Sequence, residues 1–342
     1  FQRARLCLID CHMRPDRPQS HRQQTPECAA GTITSDTYVV YNTPMQMANS
    51  PIGDPLLRQN VRRATAADAG KLQWLMRNGV YVHVHVDWHV PGDWLGTPGF
   101  VVYTRHTGRS DERAAGCLAV GADPLPAAWV RVAVVDSVAA FDPCAAMWAA
   151  VVAELDPAIE EIAWFVTDNW PLHWLDRLGL EPSSTVLVLQ KEGLSVAPYT
   201  SPRGLDIRPV LVEELAALAE IEAAAFEPRW RHSAQSLYLA WRQSISFDVA
   251  VLDGQPVGFQ FSTGGGGRAH LARMTVSPAR QGQGIGAALL ARALDGYGRR
   301  KLRHVTLNTQ ADNLASQRLY TRFGFAPTGQ KYPVWSYYPP ER

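Results

Sequence analysis

The sequence predicts an α/β (α+β) fold made of two tandem domains, each a mixed, mostly antiparallel sheet flanked by helices. The chain has 342 residues, which exceeds one ordinary domain and is long enough to bury two cores. Residues 191–204, KEGLSVAPYTSPRG, contain Pro and Gly, have no apolar face, and separate two patterned halves. The two halves also repeat one another at a constant offset, which indicates a duplicated domain.

The repeat is visible at both ends of each half. VRRATAADAGKLQWLM, from Val61, and LDIRPVLVEELAAL, from Leu205, each predict a short strand, a turn and an amphipathic helix. Three pairs of residues lie 145 positions apart, namely Arg63 with Arg208, Asp68 with Glu213, and Gly179 with Gly324. We therefore expect domains at 61–190 and 205–342, a linker at 191–204, and a disordered or extended segment at 1–60.

Composition argues against several kinds of partner. Lys and Arg number 33 and Asp and Glu number 32, so the net charge of +1 would attract neither nucleic acid nor an anionic membrane. There is no apolar run of roughly 18 residues, and the apolar stretch near the start is too short for a signal sequence. The five cysteines are odd in number and lack zinc-ligand spacing, so reduced thiols are expected. We expect a soluble cytoplasmic protein, either a monomer or a homodimer.

The second half predicts a clear order of elements. FDVAVLDG, QPVGFQFSTGGGG and RAHLARMTV predict three antiparallel strands, the first two joined by a turn at Asp253-Gly254. The four glycines from Gly264 precede a strand, so we interpret them as a hairpin connection and not as a phosphate-binding loop. A helix (IGAALLARALDGYG), a strand (HVTLNT), a helix (LASQRLYTRF) and a closing strand around VWSYY follow.

A glycine-rich loop leads from RAHLARMTV into the next helix. Glycines let the backbone approach an anion closely, and the helix dipole favours negative charge at that end. A pyrophosphate would fit there, although a loop of this kind is equally consistent with a simple packing turn. The candidate binding residues are Arg280, Gln281, Gly282, Gln283, Gly284, Ile285 and Gly286.

A second group of residues lies on the following predicted helix. Asn313, Ser316 and Tyr320 are spaced three and four apart, so they share one face, and Gly324-Phe325 ends the helix. Together with the loop, this pattern resembles that of the GCN5-related N-acetyltransferase (GNAT) family. The family's phosphate signature is Gln or Arg, two residues, Gly, one residue, and Gly or Ala, which QGQGIG satisfies. The resemblance covers about residues 205–338.

The resemblance implies a GNAT-type domain that uses acetyl-coenzyme A as co-substrate, with no metal expected. The amides of Gln281–Gly286 would hold the pyrophosphate, and Arg280 would either reach a phosphate or remain solvated. Asn313 and Ser316 would line the cofactor, although the family often has Ala where this chain has Ser316. The strand segment alongside the pantetheine arm would be Met274, Thr275 and Val276.

The implied reaction is direct attack of an amine on a thioester, which requires a neutral amine, a polarised carbonyl and a proton for the departing thiolate. The resemblance gives Tyr320 the role of general acid. His270 is a candidate general base because its side chain titrates near neutrality, although a structural role fits it equally well. Glu222 and His232, in the region where the family binds acceptors, are further candidates. The implied acceptor is a primary amine of a small molecule or a protein N-terminus.

The first half lacks these features. The offset of 145 places the loop at residues 136–141, DSVAAF, which has no glycine and gains an acid, and it places Tyr320 at Leu175. We therefore expect a degenerate copy that packs against the second half or shapes its acceptor cleft, as in tandem members of the family with one active domain. The alternative to an enzyme is a non-catalytic acyl-coenzyme A sensor or interaction module.

One motif of the first half suggests different chemistry. YVHVHVDWHV, residues 81–90, alternates so that a single strand would place its polar side chains on one face, namely His83, His85, Asp87 and His89. Such a face would bind zinc in a metal-dependent hydrolase, or it would form a polar surface or a lining for the acceptor.

Overall fold

The computed structural model describes residues 58–106, 112–137 and 140–340. The expected N-terminal segment at 1–60 therefore lies almost entirely outside the described residues, together with three of the five cysteines. The remaining two, Cys117 and Cys144, are buried free thiols. No helix in the described ranges is long and apolar enough to cross a membrane.

The first half comprises strands β1–β7 and two α-helices. Its strands are β1 (Val61–Arg63), β2 (Tyr81–Val84), β3 (Phe100–His106), β4 (Glu112–Ala122), β5 (Ala127–Val135), β6 (Glu161–Phe165) and β7 (Glu181–Glu192). Its helices are α1 (Ala69–Asn78) and α2 (Phe141–Ala153). Residues 193–204, within the predicted linker, form neither helix nor strand.

The second half comprises strands β8–β13 and four α-helices. Its strands are β8 (Asp206–Pro209), β9 (Ser246–Leu252), β10 (Gln255–Gly265), β11 (Arg268–Val276), β12 (His304–Gln310) and β13 (Ala326–Tyr337). Its helices are α3 (Leu215–Ala225), α4 (Ala234–Gln243), α5 (Ile285–Arg299) and α6 (Leu314–Arg322). This order confirms the elements that the sequence predicts for the second half.

All thirteen strands of the described residues belong to one sheet. Its order is β1-β3-β4-β5-β6-β13-β7-β12-β11-β10-β9-β8, and β2 pairs with β5 beside this series. The series is symmetric about its centre, except that the last strands of the two halves are exchanged: β13 pairs with β6, and β7 pairs with β12. A boundary at residue 190 therefore assigns β7 to the first half, although its neighbours in the sheet are β12 and β13.

Most strand pairs are antiparallel, and the parallel pairs in the described chain are β5–β6 and β11–β12. The predicted turn between β9 and β10 is confirmed, with positive φ angles of 54° at Asp253 and 75° at Gly254. The glycine run after Gly264 forms the next hairpin connection, where Gly266 and Gly267 also adopt positive φ.

The sheet is covered by helices on both faces because its strands bury alternate residues on opposite sides. In β4, Leu118 packs in the cluster under α2, whereas Cys117 packs in the cluster under α1. In β11, Ala269 and Leu271 pack toward α5. At the centre, residues of four strands form a shared cluster, namely Trp129, Ala163, Phe165, Val186, Val188, Tyr332 and Val334.

The repeat has a different register from the one that the sequence suggests at its start. Arg62 forms two hydrogen bonds of 2.8 Å to Asp68, and Arg208 forms two of 2.9 and 2.7 Å to Glu214. Each carboxylate also accepts a bond from the backbone amide three residues earlier, which caps the turn before the helix. The equivalent residues at this end are therefore 146 positions apart and not 145. The predicted pairs Arg63–Arg208 and Asp68–Glu213 are each wrong by one residue.

The strand predicted over residues 81–90 is wrong beyond Val84. Asp87 forms an ion pair with Arg131, and His89 Nε2 lies 2.6 Å from Asp123 Oδ2, so the two side chains have separate partners. His83 Nε2 lies 3.2 Å from the Val130 carbonyl oxygen. Across the described residues, no group of three or more His, Cys, Asp or Glu side chains is placed to hold a metal ion.

Candidate active site

The parallel strands β11 and β12 separate halfway along their length. They pair only from Arg268–Leu271 to His304–Leu307, although β11 continues to Val276. The pairing of β11 with β10 also shifts register, since Leu271 lies opposite Ser262 and Arg273 opposite Phe261, which leaves Ala272 as a bulge. Beyond Leu271, no strand of the described chain pairs with this edge of β11. We call this open edge, residues 272–276, the β11 slot; its backbone groups can bond an extended ligand.

The β11 slot ends at the predicted phosphate loop. Gly282 has a φ of 76° and Gly284 a φ of 87°, and Gly284 is the N-cap of α5. A Cβ atom at Gly284 would lie 2.0 Å from the Thr200 carbonyl oxygen, so only glycine fits there. The first helical bond at this end runs from the Ala288 amide to the Gly284 carbonyl oxygen, which leaves the preceding amides of the helix without helical acceptors. Such amides bind anions.

The side chains around the loop have distinct roles in the fold. Gln281 Nε2 donates to the Val276 carbonyl oxygen at 3.1 Å, and Gln283 is exposed. Ile285 is 1% exposed and packs in the core, so only its backbone is free to contact a ligand. Arg280 lies 3.5 Å from Asp253 on an exposed surface. At Gly286, a Cβ atom would lie 3.4 Å from Leu319 Cδ2, an ordinary contact with α6.

The predicted pantetheine-side residues alternate in direction. Met274 and Val276 pack in the cluster beneath α5. Thr275 is 2% exposed, and its hydroxyl donates to Glu222 on the other face. Because all three side chains are used in packing or in this bond, only the backbone of the strand is available to a ligand in the β11 slot.

The two polar residues on α6 lie at its start. Asn313 is the N-cap, and its Oδ1 accepts a hydrogen bond of 3.1 Å from the Ser316 amide. The family spacing therefore coincides with a structural role, because the bond stabilises the first turn of α6. Contact of Asn313 or Ser316 with a cofactor stays a prediction.

Tyr320 lies in the last turn of α6 and is 6% exposed. Burial raises the pKa of its hydroxyl to about 12, and the positive charge of Arg273 opposes part of this rise. None of the described residues forms a hydrogen bond with the hydroxyl. Tyr320 therefore keeps its proton at neutral pH and has it free for donation.

A buried charged cluster lies on the opposite face of β11 from α5. Its centre is Glu222, which is fully buried and forms an ion pair with Arg273. Burial alone would raise the pKa of Glu222, but Arg273 and His232 outweigh it and lower the pKa to about 2. Glu222 therefore stays ionised and is a poor proton acceptor. Arg273 also donates to the Trp230 carbonyl oxygen, and its guanidinium lies 3.7 Å from the centre of the Phe226 ring.

The two candidate histidines lie in different surroundings. His232 Nδ1 lies 3.1 Å from Glu222 Oε2, and the Trp88 indole N–H points to its Nε2 at 3.4 Å. His270 Nδ1 lies 2.8 Å from Thr306 Oγ1, on the part of β11 that is still paired with β12. Burial lowers the pKa of both, to about 4 for His270, so both rings are neutral at pH 7.

Sequence reasoning missed Arg273 and Trp88. Arg273 lies 51 positions from Glu222, and Trp88 lies 144 positions from His232, so no local spacing connects them. An arginine within the apolar strand RAHLARMTV was a signal, because a buried arginine requires a buried partner. Trp88 gave no comparable signal among the eleven tryptophans of the chain.

The first half has an equivalent strand separation, but it is filled. Strands β5 and β6 pair only from Ala127–Trp129 to Glu161–Ala163. Beyond this point β2 pairs with β5, from Tyr81 opposite Val135 to Val84 opposite Val132. The other edge of β5 is bonded to β4, so β2 occupies the side of β6. The sequence of the first half has no glycine at residues 136–141. Leu175 is fully buried in the core.

Comparisons with known proteins find similarity in the second half. The model of the acetyltransferase (GNAT) family matches residues 215–325. The mycothiol acetyltransferase of Clavibacter michiganensis subsp. michiganensis is 39% identical over 85 residues, which cover 23% of this chain and 28% of that protein. The chain therefore matches only about a quarter of that relative's length.

Two further comparisons cover more of the matched protein. A tandem GNAT protein from the clavulanic acid biosynthesis pathway has the same fold, with a TM-score of 0.51, 17% identity, and coverage of 81% of this chain and 98% of its own. An uncharacterized N-acetyltransferase of Methanocaldococcus jannaschii is 31% identical over 123 residues, 35% of this chain and 76% of that protein. Since this relative is matched over most of its length, and the glycine loop, the β11 slot and Tyr320 all lie in the region of the family model, the chain belongs to the GNAT acetyltransferase family.

Proposed function

We propose that the protein is an acetyl-coenzyme A-dependent N-acetyltransferase that acetylates a primary amine, with one working site in residues 205–342. The observation that carries this proposal is the unpaired edge of β11 in the second half, which runs into the glycine loop. The open backbone edge of the β11 slot leads to the amides of the glycine loop, and the protonated Tyr320 hydroxyl has no hydrogen-bond partner among the described residues.

The cofactor-binding role of the loop rests on backbone geometry. The amides from Gln281 to Gly286 would hold the pyrophosphate, since the positive φ angles of two glycines turn the loop and α5 begins there. The backbone of residues 274–276 would bond the amides of the pantetheine arm. Asn313 and Ser316 would complete the wall at the start of α6.

The chemistry requires one proton to leave the amine and one to reach the sulfur. The neutral amine forms a C–N bond to the thioester carbonyl carbon, and the C–S bond breaks with its electron pair on sulfur. The attacking nitrogen releases one proton to a base and then to solvent, while Tyr320 gives its proton to the thiolate and later regains one from solvent. The products are an N-acetyl amine and free coenzyme A, so atoms and charges balance.

We further propose that the first half is a degenerate copy of the second, in domains at 61–190 and 205–342. The symmetric strand order, the matched capping pairs of Arg62–Asp68 and Arg208–Glu214, and the exchange of β7 and β13 support duplication. β2 supports the loss of cofactor binding, since it bonds the edge of β5 that corresponds to the β11 slot.

The acceptor is proposed to be an amine of a small molecule or a protein N-terminus. Residues of α3, the following segment and the first half surround the charged cluster on the side of β11 opposite α5. Glu222 and His232 lie there, which supports this side as the one that the amine approaches.

A direct test combines binding and turnover. Calorimetry with coenzyme A should give one site per chain, and thiol release from acetyl-coenzyme A should increase when spermidine, kanamycin or an alanine-initiated peptide is added. Coenzyme A binding without acceptor-dependent thiol release by any of a wide set of amines would favour a sensor. No binding at millimolar coenzyme A would overturn the proposal.

A further inference from the structure

We propose that the first half completes the proton-accepting group of the second half: Trp88 positions His232, and His232, oriented by Glu222, takes the proton from the attacking amine. This inference rests on the proposed acetyl transfer. It assigns a positioning residue to the half that has no cofactor site, and it selects His232 over His270 as the base.

The contacts of His232 define its tautomer. Glu222 is ionised and can only accept, so the proton of the neutral ring lies on Nδ1, 3.1 Å from Glu222 Oε2. Nε2 then carries the lone pair, and the Trp88 indole N–H, which can only donate, points at it from 3.4 Å. A bond of this length is weak, so an amine at hydrogen-bond distance can replace it. The His232 side chain is 21% exposed, so a substrate can reach it.

Trp88 is held between the two halves. Its ring packs edge-on against Phe261 with ring centres 5.2 Å apart, and Gln243 Nε2 donates to its carbonyl oxygen at 3.1 Å. On the other side, the segment is anchored by β2 and by the His85 amide, which donates to the Arg131 carbonyl oxygen at 2.8 Å. The segment that follows β2, the strand that fills the β5–β6 separation, therefore places Trp88 against the second half.

A second polar contact fixes the same segment. His89 Nε2 and Ser236 Oγ both contact Asp123 Oδ2, at 2.6 and 2.7 Å, and Ser236 lies on α4 of the second half. This contact comes one residue after Trp88. The position of the indole relative to His232 is thus set on both sides, which is a requirement for a positioning residue.

The charges around His232 keep it unprotonated at neutral pH. Burial and Arg273 lower its pKa, whereas Glu222 and Asp123 raise it by a smaller amount. Arg273 also affects the pKa of Tyr320, so both groups lie within the field of one guanidinium. The reaction requires a neutral base to accept the amine proton and a protonated acid to supply one to sulfur. His232 and Tyr320, both near Arg273, have these protonation states.

The environment of His270 is less suitable. Thr306 already occupies its Nδ1, and the residue lies on the part of β11 that pairs with β12. No carboxylate among the described residues contacts the His270 ring to stabilise the imidazolium that would form. His232 has Glu222 for that purpose.

The proton transfer is balanced. As the C–N bond forms, an amine N–H bond breaks, its proton passes to His232 Nε2, and its electron pair stays on the amide nitrogen. The imidazolium donates to Glu222 through Nδ1 and releases the Nε2 proton to solvent after the product leaves. Tyr320 supplies the proton for sulfur in a separate transfer.

The test uses the full chain with acetyl-coenzyme A and whichever of spermidine, kanamycin and the alanine-initiated peptide gives the fastest thiol release. His232→Ala should lower kcat about 100-fold and leave the affinity for coenzyme A unchanged, and added imidazole should restore part of the rate. Trp88→Phe should lower kcat roughly fivefold. Since loss of the indole N–H makes Nε2 of the free enzyme easier to protonate, it should also move the acidic limb of the kcat/KM profile to higher pH by roughly half a pH unit.

Trp170→Phe is the matched control. It removes an indole N–H that bonds the Val82 carbonyl oxygen at 3.3 Å in the same half, without touching His232. Its kcat and pH profile should equal those of the wild type. If His232→Ala does not fold, the comparison of the pH profiles of Trp88→Phe and Trp170→Phe still tests whether Trp88 acts on His232.

Two failures are distinguishable. An active wild type with full activity in His232→Ala, or identical pH profiles in the two tryptophan variants, overturns the role of His232 or Trp88 and leaves the acetyl transfer intact. A large loss of kcat in His270→Ala with rescue by imidazole would transfer the base to His270. A wild type that releases no thiol with any amine overturns the acetyl transfer and this inference together.

Discussion

The two halves of the molecule differ in what lies against one strand edge. In the second half, the edge of β11 beyond Leu271 is open and leads to a glycine loop. In the first half, the corresponding edge of β5 is bonded along Val132–Val135 by β2, a strand of the same chain. A backbone edge can bond one extended partner, so a half that binds its own strand there has no room for an extended cofactor.

The comparison also shows how the filled half contributes to the fold of the second half. β2 is continuous with the segment that reaches Phe261 and α4, and β13 needs β6 as a neighbour in the sheet. The first half therefore supports the second through the sheet and through this segment, although its own separation is closed. Four predictions test the comparison, from the largest expected effect to the smallest.

The largest effect is expected at Tyr320, because the sequence offset of 145 places Leu175, which has no proton to donate, at this position in the first half. Tyr320→Phe should lower kcat roughly a thousandfold while the affinity for coenzyme A stays unchanged, since only proton donation to sulfur is removed. Because its pKa is about 12, the wild type should lose no activity through ionisation of this group until the pH approaches that value. Stopped-flow thiol detection and calorimetry measure the two quantities.

Tyr297→Phe provides the control for Tyr320. Tyr297 is also buried in the cluster under α5 and α6, but its hydroxyl is bonded to Ser262 at 2.5 Å. Its loss should lower stability slightly and leave kcat unchanged. Equal losses of kcat in the two variants would mean that the packing of the cluster depends on both hydroxyls. Tyr320 would then not be assigned as the proton donor to sulfur.

Much of this comparison could be predicted from the sequence, and the rest could not for identifiable reasons. The elements of the second half follow from apolar periodicity, and the resemblance to the GNAT motifs within about 45 residues singles out the loop, Asn313 and Tyr320. The pair of Glu222 and Arg273 and the contact of Trp88 with His232 join residues that only the folded sheet brings together. Their separation along the chain leaves no periodic signal.

The strand exchange and the end of β2 were also beyond sequence reasoning. β7 and β13 have the same length, and both bury residues mainly in their second halves, so no simple pattern in the sequence assigns each to its neighbour. Alternation in YVHVHVDWHV predicted one long strand, but ion pairing of Asp87 with Arg131 ends it early. The free energy gained by pairing these charges outweighs the intrinsic strand propensity of the segment.

The second largest effect concerns the charged cluster around Glu222 beside β11; on β5 of the first half the buried charge is Arg131, which is paired with Asp87. Glu222→Gln leaves Arg273 buried without its counter-charge, so unfolding free energy should fall by about 3 kcal/mol at pH 7. The folded-state pKa of Glu222 is about 2, below its ordinary value of 4.5, so this stabilisation is complete above pH 4.5 and is lost as the pH falls toward 2. Denaturant unfolding at several pH values measures the difference between the two proteins.

Glu213→Gln is a suitable control for the acid dependence, because Glu213 lies in the exposed turn before α3. Its unfolding free energy should follow that of the wild type across the pH range. If Glu222→Gln and the wild type differ by the same amount at pH 3 and pH 7, the buried ion pair does not supply the stabilisation.

A smaller effect is expected at the loop. Gly284→Ala forces a side chain into a φ of 87° and against the Thr200 carbonyl oxygen, so the amides that face the ligand must shift. The dissociation constant for coenzyme A should rise at least about tenfold, as titration calorimetry would measure. Gly329→Ala has the same φ of 87° with open space around the added atom, so it imposes similar strain without affecting binding. Equal affinities in the two variants would exclude the loop from cofactor binding.

The smallest effect, no change at all, is expected when the first half is given the sequence features that it lacks. Replacing residues 136–141 by Gln-Gly-Gln-Gly-Ile-Gly, together with Leu175→Tyr, restores the loop and the tyrosine but leaves β2 in place. Because β2 still bonds Val132–Val135, calorimetry should give one coenzyme A per chain, as in the wild type. Two sites per chain would show that the missing glycines alone closed the first half and that β2 can be displaced. One site, in a variant that unfolds like the wild type, would mean that the first half is closed by its own backbone, which substitutions in the loop cannot reopen.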